Sequence, residues 1–120
     1  MEEEIQAKAI QTAFCWTRYN YYGSEANAAK SLLKRKGIKG ISTEDAIGEI
    51  KRGIQILEET EILIRSEINN RGKNIDQFTE AEIKSFSDAV RVMLQSKFSE
   101  VSLKAFDYAI GMLIMMPYYR

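Results

Sequence analysis

Chemistry in this chain would have to come from carboxylates, cations and aromatic rings, because its 120 residues include no histidine and one cysteine, Cys15. Two groupings have suitable residue types. Arg18 stands among Trp16, Tyr19, Tyr21 and Tyr22, and Lys30, Lys34, Arg35, Lys36 and Lys39 follow closely. Rings interleaved with cations are what stacking on a base and contacting a phosphate require. Arg18, Tyr19, Tyr22, Lys34, Arg35 and Lys36 are therefore candidate residues for a nucleotide, a nucleic acid or another small anionic ligand. A plainer explanation stands beside it: cations in a last helical turn complement the helix dipole, and aromatics fill cores and interfaces. The second grouping is Glu58, Glu59 and Glu61. Carboxylates three apart share a helix face and can clamp one hard cation, which makes Glu58 and Glu61 candidate metal ligands. The plainer explanation there is a solvated acidic face.

The missing histidine excludes more than these groupings offer. Ser–His and Cys–His nucleophiles, imidazole bases and His-containing metal sets are all out of reach. One cysteine cannot build a thiolate zinc site or an internal disulfide. The expectation is a non-catalytic binding protein with no cofactor.

Two partial resemblances bear on this. Glu58 and Glu61 resemble the first half of the Glu-x-x-Glu … Glu-x-x-Asp magnesium motif of all-α nucleotide pyrophosphatases. The second pair should lie on the next helix, but Glu80 is followed three residues on by Ile83 and Glu82 by Ser85. The resemblance implies a magnesium-dependent nucleotide hydrolase using Glu58 and Glu61, over half a motif. The 17 residues from Tyr21 to Gly37 are similar to the helix that precedes a Lys-Gly turn in HEPN-type helical proteins. That likeness implies a helical bundle; the Arg-x4-His of the nuclease members cannot exist here.

The elements that must position these side chains are helices. Between Ser42 and Asn70, apolar residues recur at Ile47, Ile50, Ile54, Leu57, Ile64 and Ile68, one stripe of an α-helix. Ser42 is a suitable N-cap with Asp45 three residues on, and Asn69, Asn70 and Gly72 are stop signals. Ile56, Ile62 and Leu63 widen the stripe. Glu61 falls within it, where an unpaired charge is costly, and Arg65 one turn on is its expected partner. Gly48 and Gly53 each weaken a helix interior by about 1 kcal/mol relative to alanine, so close approach of another helix is expected there.

A first helix is expected over residues 3–22, with Ile5, Ala9, Ala13 and Trp16 on one side and Ile10, Phe14, Thr17 and Tyr21 on an adjoining one, ended by Gly23. A second runs from Glu25 to Lys36, capped by Ser24, burying Ala26, Ala29, Leu32 and Leu33, with Gly37 at its left-handed end. Thr79 and Glu82 form a capping box and Phe78 and Ile83 a hydrophobic staple. The helix they open turns Ile83, Phe86, Val90, Met93 and Leu94 inward. One helix from 80 to 116 would be roughly 55 Å long, so a break is expected near Ser96–Ser99, with Ser99 as the new cap. The last helix is then Glu100 to Met116, ended by Pro117.

From Ile110 that last helix is apolar nearly all the way round. It must be central in a monomer or covered by another chain. Met112, Met115 and Met116, with Tyr118 and Tyr119, are the candidate interface, since methionine adapts to irregular partners and tyrosine favours interfaces. Ordinary core filling is the alternative.

Lysine plus arginine equals aspartate plus glutamate at 17 each, so the net field does not steer polyanions. The charge is uneven: seven basic against four acidic residues over 1–40, three against seven over 41–70 and seven against six over 71–120. Glu2, Glu3 and Glu4 are of the wrong sign for a secretory leader. The longest apolar run, Ala109 to Met116, is far short of the roughly 20 residues a bilayer needs. A lone cysteine favours a cytoplasmic location. The fold expected is an all-α antiparallel bundle of about five helices, one domain over 1–120, built around a long central helix at 42–70. Its expected role is a cytoplasmic protein, with no membrane association, that binds a protein partner or itself through the C-terminal helix.

Overall fold

A computed structural model describes residues 2–35 and 38–115 of the chain. Within them the protein is all-α. Its helices are α1 (Glu2–Tyr19), α2 (Glu25–Leu33), α3 (Thr43–Arg71), α4 (Glu80–Lys97) and α5 (Leu103–Ile114), with a short 3-10 turn at Ile75–Gln77. Lys36 and the Gly37 turn, and Met116, Pro117, Tyr118 and Tyr119, lie outside the described residues. No helix of the described residues is long and apolar enough to cross a membrane.

Short connections make consecutive helices reverse direction. Asn27 donates to the Tyr22 carbonyl at the start of α2, and Arg35 beyond its end reaches back to Gln11 of α1. Arg71 meets Ser85 where α3 passes into α4, and Lys97 pairs with Glu59 at the far end of α4. α1 and α3 consequently run the same way: Gly53 faces Ala9 and Ala13, and Glu61 faces Arg18. At 1.5 Å per residue the 29 residues of α3 span roughly 43 Å, which matches the 44 Å long axis of the molecule. α3 packs on every other helix.

The buried line on α3 is Ala46, Ile50, Gly53, Leu57, Thr60 and Ile64, with Ile56 beside it. Its four-three alternation is that of the expected stripe, rotated by one residue at every second position. Small Ala46, Gly53 and Thr60 alternate with large Ile50, Leu57 and Ile64, and Ile47, Ile54 and Ile68 flank the line half-buried. The small positions admit α1. A Cβ at Gly53 would lie 3.2 Å from the Ala9 carbonyl oxygen and 3.3 Å from the Ala13 Cβ, so close approach is the reason for this glycine. Gly48 is exposed with open space around it and has no such role. The rotation also moves Glu61 from the middle of the stripe to its edge. Ile62, expected to widen the stripe, is 59% exposed. Phe86 of α4 and Phe106 of α5 close the core together with Ile10, Leu32, Val90, Leu94 and Leu113. Each such side chain contributes about 1.5–3 kcal/mol by leaving water.

Several boundaries follow the capping chemistry. Ser42 and Asp45 form a reciprocal capping box, as do Thr79 and Glu82, and Gly72 ends α3 at φ 70°. Others differ from the sequence expectation. α1 stops at Tyr19, before Gly23, because Asn20 takes the left-handed conformation at φ 50° and its N–H bonds the Trp16 carbonyl. Tyr21, beyond this stop, is 76% exposed, and Thr17 within the helix is exposed as well. α2 ends at Leu33, short of Lys36, and turns Ala28, Ala29 and Leu32 inward, leaving Ala26 exposed. Met93 of α4 is exposed on the flank of the helix, beside the buried Val90–Leu94 line.

The expected break after α4 exists, but Ser102 caps α5 in place of Ser99. The connection tucks Val101 into the core, and that burial consumes the residues from 98 to 102 before the helix can restart. α5 therefore starts at Leu103, later than Glu100. It is not the central helix. Ala105, Phe106, Ala109, Ile110 and Leu113 face inward, while Leu103, Tyr108 and Met115 are 46%, 45% and 68% exposed.

Candidate functional site

The two chemical groupings partly converge. α1 carries Arg18 across to α3, where its Nη2 donates to Glu61 Oε2, and Arg65 Nη2 donates to Glu61 Oε1 at 3.1 Å. Arg65 is the partner the helix spacing suggests. Arg18, 43 residues away in sequence, is one that spacing within a helix cannot show. Burial alone would raise the Glu61 pKa, but hydrogen bonds from both guanidinium groups outweigh it and hold the carboxyl below its usual value. Thr17, Arg18, Ile54, Leu57, Glu58 and Glu61 line a cavity of about 190 Å³ beside this pair. Glu58 faces solvent there. A cation clamped by Glu58 and Glu61 would first have to displace a guanidinium from each oxygen of Glu61. Among the described residues, no three Cys, Asp or Glu side chains gather as a metal-holding group.

A depressed folded-state pKa stabilises the fold above the unfolded carboxylate value, near about 4.3, and that stability is lost as pH falls through the lower folded value. Glu61→Gln should accordingly cost about 1–2 kcal/mol at pH 7 and weaken the acid destabilisation below about pH 4.5. Urea melts of both proteins from pH 7 to pH 3 measure this; parallel pH profiles would contradict the role assigned to the Arg18–Glu61–Arg65 cluster.

The remaining candidates for an anion are spread out. Tyr19 is 65% exposed and stands edge-on to Phe14 at 6.0 Å, while Tyr22 is half-buried and edge-on to Tyr21 at 5.1 Å. Lys34, at the end of α2, is exposed, and Arg35 Nη1 donates to Gln11 Oε1 at 2.6 Å. Gln11 and Arg18 are seven residues apart on α1, roughly 10 Å along its axis, so Arg18 and Arg35 are held by partners at different levels. Among the described residues, Tyr19, Tyr22, Lys34 and Arg35 do not line the cavity beside Arg18.

The other concentration of side chains is on the outer face of α5. Lys104, Asp107, Tyr108, Gly111, Met112 and Met115 line a shallow, mostly apolar groove of about 440 Å³. Lys104, Tyr108, Gly111 and Met115 follow one another at steps of four, three and four, the spacing of a helix–helix seam. This stripe lies opposite the buried Ala105–Ala109 side. At its edge Arg91 of α4 bonds Asp107 at 2.7 Å and Asp88 at 2.5 Å, fixing α5 against α4. Of the sequence candidates, Met112 and Met115 fall in the groove. Lys104, Asp107, Tyr108 and Gly111 were not anticipated; the four-three-four spacing of Lys104, Tyr108, Gly111 and Met115, in phase opposition to Ala105 and Ala109, is the signal that finds the stripe. Compared with known protein families, curated proteins and solved structures, the chain matches none.

Proposed function

We propose that this protein is a non-catalytic, cytoplasmic helical binding protein that associates with itself through the outer face of α5. One observation carries the reading: among the described residues, α5 turns Ala105, Phe106, Ala109, Ile110 and Leu113 inward and leaves Tyr108, Gly111, Met112 and Met115 lining an open groove. A contiguous apolar groove on a polar surface marks an interaction site. Equal numbers of cationic and anionic residues support self-association, since two copies meet without net repulsion. The absence of histidine from the sequence supports a non-catalytic role, and the lone cysteine supports a reducing compartment.

Light scattering over a range of protein concentrations tests this. The unsubstituted chain should dimerise, and Met115→Lys should weaken dimerisation at least about tenfold, roughly 1.4 kcal/mol. Met115 is 68% exposed, so the lysine ammonium can reach water, and matching helicity of the two proteins checks that the fold is kept. A monodisperse monomer at every concentration would remove the proposal.

A further inference from the structure

The helices of the bundle are unequally anchored, and from this we infer that α2 is a lid: it opens as a unit, with the rest of the bundle intact, and uncovers the seam between α1 and α3. The opening does not involve α5 and stands apart from self-association.

α2 packs on both α1 and α3, but it does so with small side chains. Its buried residues are Ala28, Ala29 and Leu32, and Ile38 follows in the connection to α3. Alanines bring backbones close while removing little apolar surface from water. α4, in contrast, is anchored by Phe86, Val90 and Leu94, and α5 by Phe106, Ile110 and Leu113. At nine residues α2 is too short to be stable as a helix on its own, so it depends on that small anchorage.

Polar ties locate the lid. Glu25 at the start of α2 pairs with Lys51 at 3.8 Å, and Arg35 past its end donates to Gln11 at 2.6 Å. The ion pair is long and partly solvent-exposed, which leaves it weak. The second tie is a hydrogen bond to a neutral amide. Gln11 stands between Ala9 and Ala13 in sequence, and Lys51 two residues before Gly53, so α2 covers the level at which those small residues meet. α4 lies elsewhere on α3: Lys97 pairs with Glu59 and Arg71 with Ser85, which sets α4 along the stretch from 59 to 71. α2 can therefore lift away without disturbing the packing of α4. Gly23 before it and Gly40 after it, at φ 77° and 79°, would each meet nothing within 4 Å of an added Cβ, so the chain can turn at both ends.

Native-state amide exchange in a series of low urea concentrations tests this. Relative to unfolded-chain rates, the amides from Ala29 to Leu33 should exchange at least about tenfold faster than those of Ile50, Leu57 and Ile64. They should share one protection and depend less on urea than α3 does, because a partial opening exposes less surface. Val90→Ala separates partial from global opening. It should speed exchange in α3 and α4 at least about fivefold and leave α2 unchanged, since α2 opens with α4 in place. Equal acceleration in α2, or a urea dependence equal to that of α3, would show that α2 exchanges only when the whole protein unfolds, and overturns the lid. Protection that differs from residue to residue without urea dependence means fraying from the helix ends, and overturns it too. If Val90→Ala does not fold, the urea series on the unsubstituted chain decides.

Discussion

Gly53→Leu should destabilise the protein by more than about 3 kcal/mol and separate α1 from α3. Gly53 is a point of close approach between α1 and α3, the most extensively packed helix pair among the described residues. Even a Cβ there would sit 3.2 Å from the Ala9 carbonyl oxygen and 3.3 Å from the Ala9 carbonyl carbon and the Ala13 Cβ. These are mostly backbone atoms of a helix that is itself fixed against α5, so they cannot turn aside as the end of a long side chain could. Overpacking in a dense core usually costs about 1–3 kcal/mol. Leucine adds a branched side chain beyond an already tight Cβ, which places it above that range. Moving α1 outward would also pull Arg18 from Glu61. Gly48→Ala on the same helix is the control. It adds its methyl to open space and should stabilise by about 0.5–1 kcal/mol, the difference in helix propensity. Urea denaturation of the three proteins measures both effects. Equal stabilities would contradict close packing at Gly53.

Gln6→Leu should cost about 2–3 kcal/mol and loosen the start of α5. Gln6 is 3% exposed, and its amide clamps the connection before that helix: Nε2 donates to the Glu100 carbonyl at 3.3 Å, and Oε1 accepts from the Ser102 N–H at 2.9 Å. Leucine has nearly the same size and no polar atoms. It would leave both main-chain groups without their partner, and a half-satisfied buried pair costs about 1–3 kcal/mol per group. Amide exchange at Ser102, Leu103 and Lys104 should accelerate relative to that of α3. A change below about 0.5 kcal/mol would show that water replaces the glutamine amide without loss. The clamp also matters for the proposed interface, because it sets where α5 begins and so which of its residues face outward.

The pattern along α3 was legible because it is local. Ile50, Leu57 and Ile64 recur at helical spacing, and the caps at Ser42 and Thr79 each need a partner only three residues away. What was not legible depends on how helices are rotated against one another. Ala46, Gly53 and Thr60 look like interruptions of the apolar stripe until α1 is laid over them, and Glu61 looks buried until the line turns by one residue. The Arg18–Glu61 pair joins two helices 43 positions apart, and no spacing rule reaches that far. Gln6 has the same character: a glutamine four residues into a surface-charged helix gives no sign that it will close the loop before α5. Helix ends failed where two residues compete for one role. Asn20 pre-empts Gly23 by taking the left-handed conformation itself. Ser102 displaces Ser99 because Val101 has to be buried first.

The candidate site divides along the same line. The sequence singles out Met112 and Met115 by type, but α5 is apolar almost all round, so composition alone does not say which side stays uncovered. Once Ala105, Ala109 and Leu113 are seen against the core, the outer stripe follows from the helix period. The basic and aromatic residues around Arg18 were chosen as neighbours in sequence. In space Arg18 turns to Glu61 on α3 and Arg35 to Gln11 on α1.

The most direct measurement of the central claim is a dilution series followed by backbone amide NMR. Self-association through α5 predicts that the signals shifting or broadening with concentration belong to Lys104, Tyr108, Gly111 and Met115, while those of Ile50, Leu57 and Ile64 stay fixed. Amide signals that do not change over the whole series, or changes confined to α1 and α2, would contradict it.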